Sequence, residues 1–497
     1  MENHGVTTLE TDDAPKQTTT VNMSVIGLVG TAPLAEPGTV ASVTTGSALL
    51  GNQITFTASD TGEPGNQLQV RALPGESDSS GGAETHAIFT DGLLTVFLGT
   101  DMDGSIMATA ADVVAAVAAL EPAEDLTITA VLPDDTDGNG LMLPFTKTNL
   151  SGGENEPFPL FTPSLISGSK TQSKKLGVLG SLYADIYDIL NQTGALVVVV
   201  RVPEIPLADD LQRAAIIQGI EALQLGQSTL NYNPRILIAP EWSTDDGVGK
   251  ALESMADKCR AVTYLDSPSM ATPEDVARRA QQYGGRVEIL RPRIMVVSDI
   301  TGKTHSRPYS AAAAGHRVRI DNTKGVQWSK SNQEVYGFTG LEQVDSYLIN
   351  DPTCTANQLN QANVSTIIRM DGYKHWGNRL CSSDPQWRYE SVRRVMDSIE
   401  DSIQLMVTKE YIDAPNSESM RTSMLGSVNS YLRDQSSAGV IAGGSAWLDS
   451  ELNTDTSLAA GIVYIDIAIT PYSPMEQVIL RYSVNRATGQ VSLAQAA

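Results

Sequence analysis

The chain has 497 residues, 41% hydrophobic and 19% charged, with a formal net charge of −24 at pH 7. That length suggests two to four domains, each able to bury a sizeable core, and the composition excludes wholesale disorder. The acidic balance argues against unspecific binding to nucleic acid or anionic membrane, because affinity for phosphate comes largely from Lys and Arg.

The opening MENHGVTTLETDDAPK has neither the basic start nor the apolar stretch of a signal peptide, so no leader is expected. Within it GVTTLE is strand-like and TDDAPKQ reads as a loose tether. Residues 36–154 stand apart in charge, with 17 Asp and Glu against Arg71 and Lys147, which is −15 of the chain's −24. This stretch has no Trp and no Cys. Short β-like runs (NQITFTAS, NQLQVRAL, LLTVFLG, LTITAVL) alternate there with Gly, Asp and Pro turns. One helix is expected, TAADVVAAVAAL, with Val113, Val114, Val117 and Leu120 on one side. The whole reads as a small β-rich domain with a well-solvated exterior.

From about residue 157 to 320, buried-looking strands alternate with helical patterns: ALVVVVRV, LQRAAIIQGIEAL, RILIAPEW, RAVTYLD, PEDVARRAQQYG and RIMVVSD. That rhythm predicts a partly parallel sheet covered by helices. The longest apolar run, GALVVVV, is far short of the roughly 20 residues of a membrane span. Further on, Asp384 is a candidate N-cap with Pro385 in the first turn, and Val392, Val395, Met396, Ile399, Ile403 and Met406 follow at helical spacing. Near the C-terminus IVYIDIAI alternates with Val463, Ile465, Ile467 and Ile469 on one face, and QVILRYSV with Val478, Leu480, Tyr482 and Val484, PYSPME joining the two strands. The closing VSLAQAA is too short to hold a place alone.

Candidate chemistry is sparse. In RMDGYKHWGNRLCSSDPQWRYESVRR, residues 369–394, His375, Cys381 and Asp384 are the types a cysteine nucleophile needs, yet such groups usually converge from distant segments. RIMVVSDITGKT runs into Gly302, Lys303 and Thr304 like a phosphate loop, but Val297 stands where Walker A needs a glycine. Asp135, Asp137, Asn139 and Gly140 open like a calcium loop, while Thr146 replaces its closing glutamate and the same residues suit a hairpin turn. Gly27 and Gly30 lack dinucleotide spacing. His4, His86, His305, His316 and His375 share no metal spacing, and Cys259, Cys354 and Cys381 lack zinc or disulfide spacing and suit a reducing compartment. No cofactor or metal is expected.

The same stretch, extended as LNQANVSTIIRMDGYKHWGNRLCSSDPQWRYESVRRVMDSIEDSI, resembles the signature of contractile tail sheath proteins of tailed phages, a myovirus-type family shared with tail-derived contractile devices. SAAAAGHRVRIDNTKGVQWSKSN and PYSPMEQVILRYSV are similar to two further segments of that family, as are the N-terminal GV...E and GLVGTAP. KSN stands where the family carries PSN, and Leu380 where it carries Thr.

The resemblance implies a multidomain α/β plus α+β fold: an N-terminal arm at 1–18, an α/β sheath domain at 19–35 and 155–320, an inserted acidic β-rich outer domain at 36–154, a C-terminal assembly domain at 321–484 and an arm at 485–497. It implies a non-enzymatic subunit that stacks as hexameric rings around a tail tube and contracts to drive the tube through the host envelope. Implied partners are further copies joined by strand addition, the tube protein, and baseplate and tail terminator proteins, with no nucleic acid or membrane bound. The product is expected in the virion tail after assembly in the host cytoplasm. Gly5, Val6, Leu9, Val491 and Leu493 fall in the arms. Gly372, Tyr373, Trp376, Gly377, Asn378, Arg379, Arg393, Arg394 and Asp397 carry the signature, and Val463, Ile465, Ile467, Val478 and Leu480 the interface strands. Tyr373, Trp376, Trp387 and Tyr389 are expected to pack the turn before the long helix, and Arg393 and Arg394 to bear charge on or near interfaces. A cytoplasmic α/β enzyme or NTPase and a non-contractile scaffold or tube protein are the alternatives.

Overall fold

The computed structural model describes residues 18–76, 82–120, 127–134, 136–298 and 301–482. The expected arm residues Gly5, Val6, Leu9, Val491 and Leu493, together with Asp135 and His4, lie outside them. The described chain divides into two compact units. One holds Gly27–Leu190 and Leu196–Asn233, and the other the described residues up to Ile26, Asn191–Ala195 and those from Pro234 onward.

In the first unit the acidic stretch has its own core. Val40–Thr45, Ile54–Thr61 and Ile128–Val131 form an antiparallel three-stranded sheet. His86–Thr90, Leu93–Leu98, Gln69–Pro74 and Phe145–Asn149 form a four-stranded one in that order. Alternation turns Ile54, Phe56, Val70, Leu94 and Val96 inward. The expected helix spans Ala110–Ala118, started by a capping box between Thr109 and Asp112, with Val113 and Val117 buried and Val114 and Leu120 partly so. Elsewhere in this unit the run LVVVVRV forms the strand Leu196–Val202, antiparallel to Pro163–Ser167. The helix Asp209–Ala222 lies close to it: a Cβ on Gly219 would meet Val202 and Val29 methyls at 2.6 and 2.7 Å.

The second unit is built on parallel strands. Ile236–Ile238, Val262–Asp266, Val287–Leu290 and Val364–Arg369 pair in parallel, and Tyr373–Trp376 returns antiparallel on the last. Asp246–Cys259, Pro273–Ala280 and Ser310–Lys324 are three of this unit's helices. Small residues let the Ser310–Lys324 helix bury its first nine positions, and the buried Asp266 carboxylate accepts its Tyr309 and Ser310 amides at 2.7 and 2.8 Å. A carboxylate there complements the helix dipole.

RIMVVSD departs from the expected parallel rhythm. Ile294–Val297 sits in a separate antiparallel sheet and pairs with Thr304–Arg307, Val297 opposite Thr304. Lys303 therefore lies at a hairpin end. A phosphate loop needs a helix to begin at that point, and none does.

Beyond this, the long helix is Glu390–Glu410; Asp384 caps only a short 3-10 turn, Pro385–Trp387, before it. A second helix, Glu418–Ser437, was not foreseen. It packs with the first against a hairpin of Ile441–Leu448 and Ile465–Pro471, around Val395, Ile399, Ile403, Val428 and Leu432. The partner of Ile465–Pro471 is thus the strand before it; of the expected strand over 477–484, the described residues 477–482 belong to no sheet, and Ser483 and Val484 lie outside the described residues.

Candidate assembly site

His375, Cys381 and Asp384 go to separate tasks. His375 is fully buried; its Nδ1 accepts from the Tyr309 hydroxyl at 2.9 Å and its Nε2–H donates to Glu288 at 3.2 Å. Burial lowers its pKa and Glu288 only partly offsets this, so the ring is neutral at pH 7. Burial pushes the Cys381 thiol up to about 12, which removes the thiolate a nucleophile needs. Asp384 is exposed and accepts from the Gln386 amide at 2.9 Å.

The signature residues are mostly structural. Gly377 has φ +152°, and a Cβ there would sit 2.1 Å from Ser365 Oγ. The buried Asn378 accepts the Glu390 amide on its carbonyl at 3.1 Å. Gly372 also has positive φ, +122°. The four aromatics do not pack one turn as expected. Tyr373 packs tilted against Phe338, Trp376 meets Tyr347 edge-on, Trp387 lies under the Arg393 guanidinium at 3.9 Å, and Tyr389 turns to Glu476. The odd offset between Tyr373 and Trp376 sends them to opposite faces of their strand.

One face of the long helix is a line of charges at spacing i, i+4, i+7 and i+11: Glu390, Arg394, Asp397 and Asp401. Each meets an opposite charge from another element. Glu390 takes Lys330 at 3.4 Å and the Tyr264 hydroxyl. Arg394 grips both oxygens of Asp321 at 2.7 Å and donates to the Met23 carbonyl. Asp397 pairs bidentately with Arg286 at 2.7 and 3.0 Å, and Asp401 with Arg235 and Arg260 at 2.6 and 2.7 Å. Arg394 is fully buried, so its charge is met inside the chain and not at the surface. Its desolvation is offset by the bidentate carboxylate, whose field raises the guanidinium pKa further although burial works against it.

The line continues inward. Lys330 holds Glu288 at 2.6 Å and lies 3.6 Å over the Tyr264 ring; Arg317 pairs with Asp321 at 2.6 Å. Burial alone would raise the Glu288 carboxyl, but Lys330 and the His375 hydrogen bond bring it down to about 2. Burial, with His375 adding, keeps His316 well below its ordinary value. Glu288, Glu390 and Asp321 thus balance Lys330, Arg317 and Arg394, leaving no net charge. Sequence reasoning missed Glu288, Asp321 and Arg286. Lys330 did leave a signal, since it is the residue that replaces proline in KSN.

The hairpin is the exposed part. It has two strands, and among the described residues no further strand pairs with either outer edge, although the Asn429 side chain accepts the Ala446 amide and donates to its carbonyl, each at 2.9 Å. Ile465 and Ile467, with Ile403, Val407, Tyr411 and Met424, line an apolar groove of about 910 Å³ beside it; Val463 also lines it, just before the strand. Past the hairpin, Val478 and Leu480 are each 68% exposed and Tyr482 86%. Glu476 is the point at which this segment is held. Arg379 donates to both its oxygens at 2.6 Å and Tyr389 to one at 3.1 Å.

Among the described residues no group of three His, Cys, Asp or Glu is placed to hold a metal, and no helix is long and apolar enough to cross a membrane. Asp137 accepts from the Asn139 amide at 3.2 Å, as in a plain turn.

Residues 382–485 match the phage tail sheath C-terminal domain. A prophage major tail sheath protein of Pseudomonas aeruginosa (strain UCBPP-PA14) is 33% identical over 65% of this chain and 85% of its own length. The tail sheath protein of Burkholderia phage BcepMu is 27% identical over 95% of both. Among solved structures, the helical sheath of the anti-feeding prophage in its contracted state superposes with a TM-score of 0.51 at 19% identity, over 65% of this chain and 88% of that one. The chain therefore belongs to the phage tail sheath family.

Proposed function

We propose that this chain is the structural, non-enzymatic subunit of a contractile tail sheath. It polymerises as stacked hexameric rings around a tail tube and shortens to drive the tube through the host envelope. The observation that carries the reading is the two-stranded hairpin with no further strand on either edge among the described residues, set beside an apolar groove and followed by an exposed apolar segment. A two-stranded sheet is marginal alone, and an open edge is a template for another chain. Strands from the terminal arms of neighbouring copies, carrying Val6 and Leu9 or Val491 and Leu493, fit that need.

A five-residue strand adds four or five hydrogen bonds of about 0.5–1.5 kcal/mol each before ordering costs, so one link is marginal. Two tethered links per subunit make a mesh, because each closes at high effective concentration. Such links can tilt while rings rotate, and the energy of contraction is stored in the extended lattice, with no role for Lys303. The division into two arms, an α/β domain, an inserted module and an assembly domain belongs to this proposal. So do the tube, baseplate and terminator contacts, placement in the virion tail and assembly in the host cytoplasm. Residues 36–154 face outward, since their −15 would be self-repelling at the lattice centre.

Negative-stain microscopy of the purified full chain tests the reading. Ribbed tubes or rings are expected, and deletion of 1–14 or of 486–497 should leave a folded monomer that no longer polymerises. Particles that stay small in the intact chain would sink it; tubes of a single helical state that never shorten would favour a static scaffold. Replacing 40–153 by a Gly/Ser linker should leave tube formation intact.

A further inference from the structure

The apolar residues of 472–482 are exposed, and none of them lines the apolar groove at Ile465 and Ile467. Met475, Val478, Ile479 and Tyr482 are all at least 68% accessible. Among the described residues the segment adds no strand, and its hydrogen bonds to the body run through Glu476. We propose that Arg379 and Tyr389 form a clamp on Glu476 that fixes where, and in which direction, the C-terminal segment leaves the body. Val478 and Leu480 are thereby presented to a neighbouring copy and kept off the chain's own groove. This rests on the reading that the C-terminal arm joins neighbouring copies.

Arg379 and Tyr389 are held together by contacts that do not involve Glu476. Arg379 and Tyr389 face each other across an antiparallel bridge, flanked by the Leu380 amide to Arg388 carbonyl bond at 2.8 Å and the Glu390 amide to Asn378 carbonyl bond at 3.1 Å. Directly opposed residues of an antiparallel pair project to the same side. Arg379 is steadied by the Asn360 carbonyl at 3.2 Å. Its fork then meets the carboxylate with two parallel bonds, a geometry that fixes orientation as well as distance. The pair is partly shielded, 19% and 29% exposed. Burial pulls the Glu476 carboxyl upward but Arg379 outweighs it, so it stays ionised.

A point anchor of this kind suits a positioning role. Glu476 sits two residues before Val478 and four before Leu480, so an anchor at its carboxylate limits how far either can stray, while both stay 68% exposed. Losing the anchor leaves the body intact but lets the arm sample other directions, including the groove at Ile465 and Ile467.

The test compares purified full-length Glu476→Gln with the 486–497 truncation by sedimentation across a concentration series. Glu476→Gln should need about tenfold more protein to form tubes, the loss of roughly one partly shielded charge pair per link. Its thermal unfolding as a monomer should match the parent. Tyr389→Phe should give a smaller shift in the same direction, and the swapped pair Arg379→Glu with Glu476→Arg should recover assembly relative to Glu476→Arg alone. Should the truncation assemble like the parent, the arm reading itself fails. Should the truncation fail to assemble while Glu476→Gln matches the parent at every concentration, or the swap recover nothing, the clamp is overturned and the arm reading stands.

Discussion

In the acidic stretch the core is drawn from apolar residues between Ala41 and Leu150, and carboxylates such as Asp60, Glu84 and Asp91 stay outside; among its described residues no charged side chain is buried. Beneath the long helix the opposite holds. Glu288, Glu390, Asp321, Lys330, Arg317 and Arg394 are enclosed, each against an opposite charge. The first region carries most of the chain's net charge, yet little of its fold depends on any one carboxylate. The second carries none, and it depends on every member. Net charge therefore says where a chain is solvated, and pairing says where charge is structural.

The largest effect expected from this contrast is at Asp321. Asp321→Ala leaves Arg317 and Arg394 buried without their carboxylate, at a cost of about 3–5 kcal/mol that should show as loss of soluble monomer or a large fall in melting temperature. Lys330→Met combined with Glu288→Gln should cost less than either single change, because the pair leaves together; a double mutant worse than both singles would contradict the pairing.

Next comes the apolar core of the other region. Leu94, fully buried, should cost about 2–5 kcal/mol on truncation to Ala, with amide protection in hydrogen exchange lost across 40–150. Uniform loss throughout the chain would mean that this core is not its own.

Acid should act on the enclosed charges in two stages. His316 and His375 have folded pKa values below the ordinary 6.5, so the unfolded chain binds their protons first. Their share of stability is full above about pH 6.5 and is lost as pH falls below it. Glu288, brought from 4.5 to about 2, adds a further loss between those values. Urea melts from pH 7.5 to 5 should show a falling midpoint, and His316→Gln should flatten the slope; an equal slope in the mutant would count against the assignment. The smallest effect is at Asp60→Asn and Glu84→Gln, which should leave the melting temperature unchanged.

How much of this was legible follows from what pattern reading detects. The strands at Ile54–Thr61, Gln69–Pro74, Leu93–Leu98 and Ile128–Val131 show in the sequence because apolar residues alternate between turn formers. The apolar side of the long helix shows for the same reason at period 3.6. Its other side was opaque: Glu390, Arg394, Asp397 and Asp401 have helical spacing too, but charged positions read as a solvated face until their partners are seen. Arg394 is one of them, its partner Asp321 lying 73 positions away in the chain. Ile294–Val297 was misplaced because a short apolar run does not say which sheet it joins. The partner of Ile465–Pro471 was sought after it in the chain, whereas Ile441–Leu448 precedes it.

The order of signs along the long helix also sets which motions it can take part in. Read outward they are negative, positive, negative, negative, facing Lys330, Asp321, Arg286, and then Arg235 with Arg260. A slip of one turn, about 5.4 Å, would bring Arg394 toward Lys330 and Asp397 toward Asp321, placing like charges together where the side chains are buried and screening is weak. An apolar contact could creep through such a shift. This one is keyed to a single register, so the helix and the strands that carry its partners move as one piece.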